Sequence, residues 1–126
     1  MADLAASAPP DSGDAGRLEI RERAVQSIVV AAALTSPDVY RHRSGPGKLA
    51  GRALPRATVA VAGERVCADV EIAVGWGRPL SDVAAATRAH VRDALESVSG
   101  LAVDRVTVHV GAVVPPGDPT YGRGLL

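Results

Sequence analysis

Phenylalanine is absent from this 126-residue chain, and its other aromatics amount to one tryptophan and two tyrosines. The interior must therefore be built from small aliphatic side chains: eighteen valines, ten leucines, three isoleucines and 23 alanines. A buried Val or Leu stabilises a fold by roughly 1.5–3 kcal/mol and an Ala by less. Such a core is thin, the monomer is marginal, and association is favoured. A single cysteine, Cys67, excludes an intrachain disulfide and any multi-cysteine metal site, in keeping with a reducing cytoplasm. The longest wholly apolar run, residues 28–34, is seven residues long, against the roughly 18 that a bilayer demands, so no direct transmembrane segment is expected. Asp3, Asp11 and Asp14 precede the first base, Arg17, which reverses the charge order of a secretory signal peptide.

Charge of one sign is also missing locally. Fourteen basic residues balance fourteen acidic ones overall, which points to neither nucleic acid nor an anionic membrane. Yet no acid stands between Asp38 and Glu64, while Arg41, Arg43, Lys48, Arg52 and Arg56 all do, with His42 among them. These five cations are the candidate contacts for a partner or an anion.

Residues 1–16 are Ala, Ser, Pro, Gly and Asp with little large apolar content, the composition of a disordered tail. Residues 17–20 suit a short strand or a lead-in to a helix. Ala24, Val25, Ile28, Val29 and Ala32 then recur at helical spacing, predicting a first helix from about Glu22 to Thr35 that Pro37 stops. Residues 36–56, with three prolines, three glycines and the basic cluster, read as a flexible basic loop. Thr58 to Ala62 alternates, Gly63-Glu64 suits a tight hairpin turn, and Arg65 to Val74 alternates again with Val66, Ala68, Val70, Ile72 and Val74 on one face. Pro79 fits the first turn of a second helix reaching about Ser99, striped by Leu80, Val83, Ala84, Thr87, Val91, Leu95 and Val98 and ended by Gly100. A last strand turns Val106, Val108 and Val110 inward and Arg105, Thr107 and His109 outward, before a flexible tail over residues 115–126. The class is α+β, in the order (β)αββαβ: a small mixed sheet, two helices packed on one face, and the other face polar. The domain spans residues 17–114, and Val70, Ile72, Val91, Leu95, Val106 and Val108 are its expected core.

Little in this pattern points to catalysis. Asp69, Glu71 and His109 share the outer sheet face, but a solvated or oligomer-facing surface explains them without a metal or an acid–base role. Cys67 has Asp69 and Glu71 as neighbours on its own face, which do not favour a thiolate. His90 belongs at the edge of the apolar stripe as a packing residue, and His42 lies in the basic loop. Ser44-Gly45-Pro46-Gly47-Lys48 fails as a phosphate loop, because His42 stands where the first glycine is needed and Leu49 where Ser or Thr must follow the lysine. A KH-type RNA loop fails as well: the pair Gly13 and Gly16 precedes the first helix in an acidic stretch. No catalytic residue, cofactor or metal ligand is assigned.

Gly16-Arg17-Leu18-Glu19-Ile20 leading into a helix, the glycine-rich connection, the hairpin, the Gly-flanked Trp76, the amphipathic helix, and Gly100-Leu101 followed by Val103, Val106, Val108 and Val110 together resemble the alkaline shock protein family of bacterial envelope stress response proteins. The resemblance covers residues 16–114. It implies a small cytoplasmic protein without known catalysis that associates with itself or a related paralogue and is held at the inner face of the cell membrane by a separate small anchor protein. Family members are often acidic and lysine-rich, whereas this chain is rich in Ala and Arg and has one lysine. The alternative is a nucleic-acid-binding module using residues 41–56.

Overall fold

The computed structural model describes residues 12–44 and 52–115. In chain order they form α1 (Ser12–Thr35), β1 (Val39–Tyr40), β2 (His42–Ser44), β3 (Arg52–Leu54), β4 (Arg56–Ala62), β5 (Arg65–Gly75), α2 (Leu80–Ala94, continued by a π turn over Leu95–Ser99) and β6 (Ala102–Val114). Alternation makes β5 the centre of the sheet. Its even residues Val66, Ala68, Val70, Ile72 and Val74 are buried, while Arg65 and Asp69 are exposed and Cys67 and Glu71 are half-covered. One edge of β5 pairs antiparallel with β4 and then with β1, and the other pairs parallel with β6 along its whole length. Gly63, at φ +61°, opens the two-residue turn between β4 and β5. The parallel pairing of β5 and β6 requires a crossover, which α2 supplies.

Both helices pack on the even face of β5. Val25, Val29, Ala32 and Ala33 from α1 and Val83, Val91 and Leu95 from the second helix share one core with the strands. Five of the six expected core residues are buried, and Val108 is packed against the cluster from its margin. The buried stripe of α2 advances by fours, through Val83, Thr87, Val91 and Leu95. Val98, expected on that stripe, is 68% exposed. The π turn explains it: a turn closed from i to i+5 holds more residues than an α turn, so the helix phase slips after Leu95. Leu80 at the other end is also exposed. Gly100 closes the helix at φ +74°, as its position after the last turn predicts.

Three expectations need correction. Residues 17–20 are helical, not a strand, and α1 begins at Ser12, inside the stretch read as a tail; residues 1–11 and 116–126 lie outside the described residues. The segment 36–56 is not one loose loop. β1 continues the β4 edge, while β2 and β3 pair as a short ribbon with His42 opposite Leu54 and Ser44 opposite Arg52; residues 45–51 are outside the described set. Finally, the outer face of the sheet is polar only in part. At its far end Leu54 of the ribbon packs on Ala73, Val114 and Ala112, a second small core that a β-bulge makes possible by shifting the register between Ile72 and Ala73.

Candidate functional site

The ribbon carries the basic cluster. Arg41 and Arg43 are exposed on either side of half-buried His42, and the three line an open cavity of about 300 Å³ with Ala53 and Leu54. The ribbon is held from below by Leu54. Arg52 joins it by backbone register, opposite Ser44. Arg56 does not join the others: it is the first residue of β4 and is registered opposite Glu71, beyond Pro55. Lys48 lies outside the described residues. Of the five candidate contacts, the structure thus places Arg43 and Arg52 on one ribbon with Arg41 at its entry, and sends Arg56 to the sheet.

The acidic and histidine side chains of the outer face do come together. Glu71 is registered with His109 and Asp69 with Thr107, and Asp69, Glu71 and His109 line a small depression of about 100 Å³ with Arg56 and Thr58. Asp69 and His109 are exposed on it. Among the described residues no group of three His, Cys, Asp or Glu side chains could hold a metal ion. Cys67 is half-buried on the same face beside Arg105. His90 is half-buried in α2, where its Nδ1 is covered and has no hydrogen-bond partner.

At the start of this face two nitrogens of the Arg65 guanidinium converge on Asp104 Oδ1, with Nε at 2.8 Å. That hydrogen bond and the positive charge hold the Asp104 carboxyl below the usual carboxylate range, and raise the Arg65 pKa. A second ion pair, Arg78 to Asp38 at 3.1 Å, ties the turn after β5 to the turn after α1. Asp38 has φ +68°, a left-handed conformation that Asp tolerates better than most residues, and its carbonyl accepts from Gly75 N–H at 3.2 Å.

Trp76 is 67% exposed in the turn Gly75-Trp76-Gly77, where its backbone N–H donates to the Val114 carbonyl at 2.8 Å. Its flanking glycines marked it in the sequence, but its exposure was not legible there. Glu22 and Gln26 carried no signal either. Both reach from α1 to the free backbone edge of β4, where Glu22 Oε2 accepts from Val61 N–H at 3.1 Å and Gln26 Nε2 donates to the Ala57 carbonyl at 3.0 Å. No described helix is long and apolar enough to cross a membrane.

Similar folds are known. Solved structures of MamM CTD match at a TM-score of 0.50 and 20% identity over 71% of this chain, covering 93% of the matched chain in a triple variant, 96% in a nickel form and 94% in a single-substitution variant. At that identity the likeness establishes the fold alone. No curated protein matches. The family model for alkaline shock proteins, described as having a cell envelope-related function, matches residues 11–115, from the start of α1 to the end of β6. The chain therefore belongs to the alkaline shock protein family.

Proposed function

We propose that this chain is a non-enzymatic, self-associating protein of the bacterial envelope stress response, working at the inner face of the cell membrane, where a separate small anchor protein holds it. The observation that carries the reading is the family match across the whole folded region, residues 11–115. The basic ribbon supports it. Arg43 projects from a short, braced β-ribbon and Arg41 stands at its entry, and these two exposed guanidinium groups, followed by no acid until Glu64, attract an acidic segment of an anchor protein over about one Debye length, roughly 8 Å at physiological salt.

Cell fractionation tests the reading. Replacing Arg41, Arg43, Arg52 and Arg56 with Ser leaves the main core untouched, because none of the four belongs to it. Recovery in the membrane fraction falls severalfold while the circular dichroism spectrum is retained. Unchanged recovery removes the ribbon as the recruiting surface. If the substitutions instead abolish a salt-sensitive retention of RNA by the native protein, residues 41–56 serve the nucleic-acid alternative.

A further inference from the structure

The two edges of the sheet are finished differently. Along β4, Glu22 and Gln26 of α1 occupy free backbone groups at Val61 and Ala57, and β1 prolongs the same edge. On the other side β6 runs for thirteen residues and pairs with no strand but β5 among the described residues; Arg92 Nη1 of α2 reaches the Val103 carbonyl near its start, at 3.5 Å, ahead of the stretch from Arg105 to Val110. Edge strands in monomers are blunted by Pro, Lys, short length or bulges. From Arg105 to Val110 the sequence is Arg-Val-Thr-Val-His-Val, with neither Pro nor Lys and four β-branched residues. The register shifts fall outside it, at Asp104 and Gly111.

We propose that β6 is the surface through which two copies of this chain pair, antiparallel about a two-fold axis that passes near Val108 and runs normal to the sheet, so that two sheets become one. The proposal rests on the self-association reading above and names its surface. Under this symmetry Val108 meets its own copy, Val106 meets the partner's Val110, and Thr107 meets the partner's His109. Residues of one face therefore meet residues of the same face.

Charge selects this register and a second copy as the occupant. Arg105 meets the partner's Gly111, and the space beside Gly111 belongs to Glu71: a Cβ built on Gly111 would lie 2.7 Å from Glu71 Cγ. The Glu71 side chain thus leans toward β6, not toward Arg56 on β4. Arg105 is exposed, and within the protomer it is registered with Cys67, four positions along β5 from Glu71. Neither Arg105 nor Glu71 makes a direct ion pair among the described residues; the Arg105 charge acts on neighbouring Asp104, which is already paired with Arg65. The two-fold axis brings each Arg105 to the partner's Glu71, and does so twice. A different partner would have to offer an equally long unpaired strand with the same charge spacing, and this chain already has one.

Sedimentation equilibrium on the full chain tests the pairing, using the native protein, Arg105→Glu, Glu71→Arg and the two substitutions together, with circular dichroism as the check on folding. The native chain sediments as a dimer. Each single reversal turns two attractions into repulsions and raises the dissociation constant roughly tenfold or more, and the combined swap restores it toward the native value. Should the native chain self-associate while both single reversals leave its dissociation constant within about twofold, the β6 edge is not the interface, although self-association stands. A native chain that stays monomeric at every concentration overturns both.

Discussion

At the scale of single residues, two polar contacts have consequences that differ because their surroundings differ. Thr87 and Ser36 are both fully buried, with their hydroxyls 3.0 Å apart, and Thr87 Oγ1 also bonds the Val83 carbonyl at 2.8 Å. Thr87→Val conserves shape but strands Ser36 in the core, where an unsatisfied hydroxyl costs about 1–3 kcal/mol. Adding Ser36→Ala removes the stranded group, so denaturant unfolding of the double variant should recover part of the loss. Additive losses would show that the two hydroxyls are not coupled. Arg65 and Asp104, by contrast, are paired at the surface. The folded-state pKa of Asp104 lies below its ordinary value because of Arg65, so the contribution of the pair is fully present above that ordinary value and is lost as pH falls through the lowered one. In an NMR titration Arg65→Gln should return Asp104 toward the ordinary carboxylate pKa. Stability at neutral pH should barely change, since solvent screens the pair.

At the scale of elements, what could be read from the sequence was whatever one periodicity governs. β5 alternates from Arg65 to Ile72 and the second helix repeats by fours, so their faces, the hairpin at Gly63 and the cap at Gly100 follow from local chemistry. Longer α1 was legible only in its second half. Val25, Val29, Ala32 and Ala33 pack on the sheet, but before them Leu18 and Ile20 are exposed, so no burial imprints a pattern on the turn that carries them. The β2–β3 ribbon escaped for a related reason. Two strands of three residues are too short for alternation, and their fixed point is tertiary: Leu54 against Ala73 and Val114. Val98 fails in the opposite direction, because a π turn breaks a period that the residue types continue. The candidate site divides likewise. Clustered charge was visible as composition, but only strand register separates Arg56 from Arg41 and Arg43, and only Gly111 on a neighbouring strand reveals where Glu71 leans.

At the scale of the whole molecule, the core and the open edge lead to one expectation. The largest fully buried side chains are Ile72 and Leu95, with no aromatic ring among them, so burial per residue is low and the margin over chain entropy is small. If two copies share a sheet, unfolding releases two chains from one folded species, and stability depends on concentration by mass action. Each tenfold increase in protein adds about 1.4 kcal/mol per dimer, or roughly 0.7 kcal/mol per chain. For a domain of this size, where about 1 kcal/mol moves the thermal midpoint by roughly 4–8 °C, the midpoint should climb several degrees per decade of concentration. Calorimetry over two decades above the dissociation constant measures the slope. A flat midpoint would mean that the thin, phenylalanine-free core suffices alone. A rising midpoint that Arg105→Glu flattens would tie the missing stability to the β6 edge.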